Sequence, residues 1–126
     1  MVRALLDTNI LIDYLNAVPE ARDEIARYDR PAISIITWME VMVGAPEAAQ
    51  GATRAFLDDF DLIELDDVIA DQAVALRRRH RMKLPDAVIW ASALAGGRLL
   101  VTRDVKAFMT DDPGVRVPYG LTRAPP

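Results

Sequence analysis

Two hydrophobic periods alternate along the chain. Val2 to Leu6 is an apolar run broken only by Arg3, and after Asp7-Thr8-Asn9 the apolar positions fall at Ile10, Leu11, Tyr14 and Leu15. The first spacing suits a buried strand and the second one face of a helix, so the period changes at the acid. Pro19 to Tyr28 reads as a short charged helix, and Pro31 opens a second strand that runs through Ile35. A helix starting near Ile36 or Thr37 carries Trp38, Val41 and Met42 and stops at Gly44-Ala45-Pro46, a glycine followed by a proline. Helical spacing returns from Glu47 to Phe60, Leu62 to Leu65 makes a brief strand, and Asp66 or Asp67 caps a helix that reaches about Arg79. Pro85 marks another helix start, where its missing N–H costs nothing, and that helix continues to Gly96-Gly97. Arg98 to Thr102 is a buried strand, Val115 to Val117 a last edge strand, and Thr122 to Pro126 a frayed tail.

Strands alternating with helices predict an α/β fold, a three-layer sandwich with a mainly parallel central sheet flanked by helices. The 126 residues suffice for one core, so a single domain over 1–126 is expected. No repeat, low-complexity segment or interdomain linker interrupts it. No apolar stretch approaches the ~20 residues of a membrane span. Met1-Val2-Arg3 leads directly into the first strand, which makes the cytoplasm the expected location.

In such a sheet, ligands bind beyond the carboxyl ends of the strands. Four acids, Asp7, Glu40, Asp86 and Asp104, stand where an apolar strand ends or an apolar helix begins. Each has a local explanation: Asp7 as an N-cap, Glu40 closing a Thr37-x-x-Glu40 capping box, Asp86 in a first turn after Pro85, Asp104 as a cap after its strand. Their shared placement in apolar surroundings favours a joint one. Carboxylates gathered in one pocket repel unless protonated or neutralised by a cation. Oxygen ligands without His or Cys select a hard ion, Mg²⁺ or Mn²⁺. Such a site activates water, and two ions about 3.5–4 Å apart would clamp both the attacking and leaving oxygens of a phosphodiester.

Composition narrows this further. With no cysteine, disulfides, thiolate nucleophiles and cysteine zinc sites are excluded. With His80 as the single histidine, a ribonuclease built on a histidine acid and a histidine base is excluded too, and phosphodiester chemistry has to be metal-assisted. The net charge of −4 argues against a nucleic-acid binder, but four metal-binding carboxylates would supply most of that excess.

The acids sit in four ordered motifs: Leu5-Leu6-Asp7-Thr8-Asn9-Ile10-Leu11-Ile12, Thr37-Trp38-Met39-Glu40-Val41, Lys83-Leu84-Pro85-Asp86-Ala87 and Val101-Thr102-Arg103-Asp104. In these the chain resembles the PIN domain, and in particular the VapC-type toxin ribonucleases of toxin–antitoxin pairs. The resemblance implies a Mg²⁺- or Mn²⁺-dependent endoribonuclease acting on cellular RNA, with Asp7, Glu40, Asp86 and Asp104 as catalytic metal-binding acids. It also implies a VapB-type antitoxin partner, a homodimer and no membrane. Thr8, Asn9 and Thr102 match polar positions that orient the carboxylates or a water. The last family motif often reads Thr-Arg-Asn-x-x-Asp-Phe. Here Asp104 takes the asparagine slot and Ala107 the acid's, so either Asp104 compensates or Asp111 or Asp112 supplies a ligand.

Arg103 and Lys106 flank Asp104 and are candidates for contact with RNA phosphate, together with Arg81 and Lys83 from the run Arg77 to Lys83. That run also reads as a solvated helix end whose cations suit the helix dipole. Trp38, Met39, Met42, Val43 and Phe56 lie on helices that the family uses for antitoxin binding and dimerisation, and they offer either core or an apolar groove for a partner helix. Three other functions compete. An aspartyl phosphatase wants a second aspartate where Asn9 stands, a receiver domain wants a paired acidic loop after β-strand one, and a non-catalytic PIN-like binding module has no need of all four acids.

Overall fold

The computed structural model describes residues 2–121, so the tail expected over 122–126 lies outside the described residues. Strands β1 (Ala4–Leu6), β2 (Ala32–Ser34), β3 (Asp61–Ile63), β4 (Leu99–Val101) and β5 (Val115–Arg116) form one sheet in the order β3-β2-β1-β4-β5. Every adjacent pair is parallel. The helices are α1 (Thr8–Leu15), α2 (Pro19–Ala26), α3 (Ile35–Gly44), α4 (Gln50–Leu57), α5 (Asp67–His80) and α6 (Leu84–Ala95), with a 3₁₀ turn at Glu47–Ala49. No helix among the described residues is long and apolar enough to cross a membrane.

The chain walks outward from β1 to β2 to β3, then returns across the sheet to β4. Parallel crossovers are right-handed, so outward and return connections cover opposite faces. The packing follows that rule. Leu6, Ile33 and Val101 pack with Ile10, Val41 and Leu57 of α1, α3 and α4, whereas Leu5, Ala32 and Leu100 pack with Ile69, Leu76 and Ile89 of α5 and α6. Successive strand residues thus feed alternate cores. β1 and β4 lie side by side while their connections leave in opposite directions, and the crevice beyond their carboxyl ends is the place where this topology opens.

Several boundaries differ from the sequence reading. Ile35 belongs to α3 rather than to β2, because Ser34 is the N-cap and its Oγ accepts the Ile36 N–H at 3.1 Å. Thr37-x-x-Glu40 is therefore no capping box, and Glu40 lies well inside α3 instead of at a junction. Asp66, not Asp67, caps α5 by accepting the Ile69 N–H at 2.8 Å. β3 begins at Asp61, whose N–H reaches Pro31 O at 3.1 Å and so starts the pairing with β2 one residue early. The stretch Glu47 to Phe60 is split into a 3₁₀ turn and α4.

Candidate active site

Asp7 continues β1 past its last residue: its N–H donates to Val101 O at 2.8 Å, which fixes it against the end of β4. Its side chain caps α1, Oδ1 accepting the Thr8 N–H at 2.8 Å. Oδ2 accepts the Thr102 hydroxyl at 2.7 Å and the Asn9 amide at 3.0 Å. Thr102 Oγ1 accepts in turn from the Asp104 N–H at 3.0 Å, so one buried hydroxyl ties the first acid to the backbone of the last. Asn9 spans the same gap, its Oδ1 accepting the Arg103 N–H at 3.1 Å.

Glu40 joins from the neighbouring helix. Thr8 Oγ1 donates to Glu40 Oε1 at 2.7 Å and lies 3.0 Å from the hydroxyl of Thr37, which is fully buried. Asp86 enters from the first turn of α6, positioned by a helix whose residues 87–93 are all buried. Asp104 follows β4 and closes a turn, not a helix, with Oδ1 accepting the N–H groups of Lys106 and Ala107 at 3.0 and 3.1 Å. Asp112 is used locally, its Oδ1 accepting the Gly114 N–H at 2.8 Å, and Asp111 is exposed.

Two of the four acids, Asp7 and Asp86, register the charge of neighbouring acids. Burial, with the charges of Asp86 and Glu40 behind it, lifts the Asp7 carboxyl to about 6 against the lowering effect of its Thr102 and Thr8 hydrogen bonds. The Asp86 carboxyl is raised as well, first by burial and then by Asp104 and Glu40, with Lys83 opposing. Among the described residues no Lys or Arg is ion-paired with any of the four. No three of them converge tightly enough to hold an ion as they stand. The donor set nevertheless fits a hard divalent cation: all-oxygen, and not ion-paired with any Lys or Arg among the described residues.

Arg81, Lys83 and Lys106 line a cleft of about 420 Å³ together with Asp86 and Asp104. Arg103 does not, and the expectation that it meets phosphate gives way to a structural role. Its Nη2 donates to Asp13 Oδ1 at 2.8 Å and its Nε to Asp13 Oδ2, so the guanidinium is held by a carboxylate only 4% exposed.

The PIN domain profile matches residues 4–110, a span that contains all four acids. The chain belongs to the PIN domain family. A chain of a toxin–antitoxin complex from Klebsiella pneumoniae is 45% identical, with TM-score 0.88 over 94% of this chain and 99% of that one. A chain of DNA-bound VapBC from Salmonella typhimurium is 25% identical, with TM-score 0.75 over 92% and 96%. A chain of VapBC-5 from Mycobacterium tuberculosis is also 25% identical, with TM-score 0.65 over 92% and 97%. No curated protein matches the sequence.

This PIN domain also holds functional scaffolding that sequence reasoning missed. Asp13 accepts a third hydrogen bond from Tyr119 at 2.8 Å. A second clamp joins buried Glu24 to Arg116 through Nε and Nη2 at 2.8 and 2.9 Å, with Tyr28 donating at 2.6 Å. The partners are separated by some ninety positions, and the sequence carries no local signal of the pairing. Met42 is buried in the core, whereas Met39 and Val43 on the same helix are 44% and 86% exposed. Of the apolar α3 residues those two are the exposed ones, whereas half-buried Trp38 packs against the core with the Arg54 guanidinium 5.1 Å over its ring.

Proposed function

We propose that this PIN domain is the toxin of a toxin–antitoxin pair, a VapC-type endoribonuclease that hydrolyses phosphodiester bonds of cellular RNA, tRNA or rRNA. One observation carries the reading: four carboxylates, none ion-paired among the described residues, lie near enough to the ends of β1 and β4 for Asp7 and Asp86 to feel neighbouring acids, in the crevice where this topology binds ligands. The 45% identity to a chain of a toxin–antitoxin complex supports it.

In this reading Asp7, Glu40, Asp86 and Asp104 would hold Mg²⁺ or Mn²⁺. When bound, such an ion would supply Lewis acidity towards a phosphodiester oxygen and a water. The chain's own residues do the rest. Thr102 and Asn9 keep the Asp7 carboxylate in one orientation, and Thr8 does the same for Glu40. Lys83, Lys106 and Arg81 draw RNA phosphates towards the acids. A VapB-type antitoxin and a second copy of the chain are the partners, with exposed Met39 and Val43 offered to one of them, and the cytoplasm is where the RNA lies.

The test is cleavage of total cellular RNA by purified, antitoxin-free protein, wild type against Asp7→Asn, with Mg²⁺ or Mn²⁺ and with chelator. Discrete fragments that require both the metal and Asp7 are expected. Equal outcomes for the two folded proteins would overturn the reading. Melting gives a readout independent of activity: Mn²⁺ at a hundred times its Kd would stabilise the wild type by about 2.7 kcal/mol and leave Asp7→Asn nearly unmoved.

A further inference from the structure

The cleft beside the acids contains more than phosphate ligands. Its cations, Arg81, Lys83 and Lys106, share it with Met82, Trp90 and Met109, and His80 completes one side. Trp90 is held firmly: His80 lies over it at 5.4 Å with a 31° tilt, and Phe108 meets it edge-on at 6.2 Å. The Trp90 indole N–H is buried and has no hydrogen-bond partner among the described residues. Met109 is 41% exposed and so presents a polarisable apolar surface at the cleft.

The loop that forms the cleft's cationic side is built under constraint. Arg81 ends α5 in the left-handed region, φ 54°, where a residue with a side chain is uncommon. Its N–H bonds Arg77 O at 2.8 Å, and Arg77 Nη1 donates to Met82 O at 2.8 Å, so two bonds hold the turn in that conformation. Strain of this kind persists where the surroundings over-determine it, and it gathers at ligand sites.

From this juxtaposition we propose that the cleft is a nucleobase subsite, which takes one unstacked nucleotide adjoining the scissile phosphodiester and sets the base preference of cleavage. The proposal rests on the nuclease reading above and adds to it the residues that read the base. Lys83 and Lys106 hold the nucleotide's phosphate next to Asp86 and Asp104, while Met109, His80 and Met82 pack on the base. A volume of about 420 Å³ falls among small-ligand pockets. It cannot admit a duplex, whose bases are stacked and paired inside, whereas a splayed base bound by packing and a cationic rim suits it.

The indole resonances of the two tryptophans provide the test. Trp38 packs on the opposite face of the sheet from Trp90 and serves as an internal control. With chelator present, the four ribonucleoside 5′-monophosphates and ribose 5-phosphate are titrated into the protein. Nucleotides are expected to shift Trp90 but not Trp38, and at least one to bind about tenfold tighter than ribose 5-phosphate, a stacking-sized difference. Met109→Ala, chosen because Trp90→Ala endangers the core, should erase that difference, and Lys83→Ala should weaken both classes of ligand. Equal affinities for sugar phosphate and nucleotide, or an unmoved Trp90, overturn the subsite. Cleavage maps then separate the two readings. If the wild type cuts RNA and Met109→Ala and His80→Ala cut at the same bases, the subsite fails and the nuclease stands. If nucleotides bind as described but no RNA is cut, the nuclease reading fails and takes the cleavage role of the subsite with it, while nucleotide binding in the cleft stands.

Discussion

Asp7 and Glu24 are hidden from solvent to nearly the same degree, 5% and 4% exposed, yet the protein treats the two carboxylates in opposite ways. Burial raises both. At Glu24, hydrogen bonds from Arg116 and Tyr28 and the Arg116 charge outweigh it, and the carboxyl is held below its ordinary value. At Asp7 the donors are a hydroxyl, an amide and a backbone N–H, the nearest charges are other acids, and the carboxyl rises to about 6. The Asp13–Arg103 clamp repeats the Glu24 arrangement, and burial together with the bond to Asp13 raises Tyr119. A buried acid in this chain is thus either paired with arginine or left among acids. The second arrangement is costly without a cation from outside, which gives the site a physical reason to bind one.

The largest expected effect comes from removing the internal cation. Arg103→Ala leaves Asp13 buried with only Tyr119, and breaking a buried pair from one side costs about 3 kcal/mol. In a chain this size that lowers the melting temperature by roughly 10 °C. Thermal unfolding of the variant decides the point. A melting temperature within about 2 °C of wild type would show that Arg103 is not needed to hold Asp13, and the contrast between the two regions would lose its basis.

At the acid cluster the corresponding change should have the opposite sign. Asp7 binds its proton more tightly in the folded state, with a value of about 6 against an ordinary 3.8, so its charged form costs stability above pH 6. That cost fades as pH falls towards 4. Asp7→Asn should therefore stabilise the metal-free protein by about 2 kcal/mol at pH 7.5, two thirds of the roughly 3 kcal/mol that the full shift implies, and by well under ~1 kcal/mol at pH 4. Urea unfolding in chelator at both pH values measures the difference. Destabilisation at pH 7.5 would mean that the hydrogen bonds to Asp7 outweigh its repulsion.

The same contrast explains what could be read from the sequence. Asp7 and Asp104 stand where strand spacing breaks off and Asp86 follows a proline at a helix start, and these local signals survive folding because the topology brings strand ends together. Glu40 reads from the sequence as standing at a junction and within a family-like motif, with a capping box as its local explanation; Ser34 caps α3 instead, Glu40 lies inside the helix, and the Thr8 hydroxyl joins it to the start of α1. Arg103 looked like a phosphate contact because it precedes Asp104, but its guanidinium crosses to α1. Asp13 and Arg103 lie ninety positions apart, and neither has a periodicity that names the other. The all-parallel sheet was legible as a class from strand–helix alternation, while strand ends moved by a residue or two because pairing partners, not propensity, set them.

The smallest effect concerns the hydroxyls that both regions share. Thr102 donates to Asp7, and Tyr119 donates to Asp13 at a similar distance, 2.7 and 2.8 Å. At Asp13 the guanidinium already meets both carboxylate oxygens, so Tyr119→Phe removes a redundant donor and should cost only about 1 kcal/mol. Because Tyr119 and Arg103 act on one carboxylate, their effects should not add: with Arg103 already replaced by alanine, the tyrosine hydroxyl becomes the main remaining donor and its loss should cost more. A double-mutant cycle by urea unfolding reads this coupling. Strict additivity would show that Tyr119 stabilises the chain through its ring alone, and the clamp would then consist of the arginine and the aspartate.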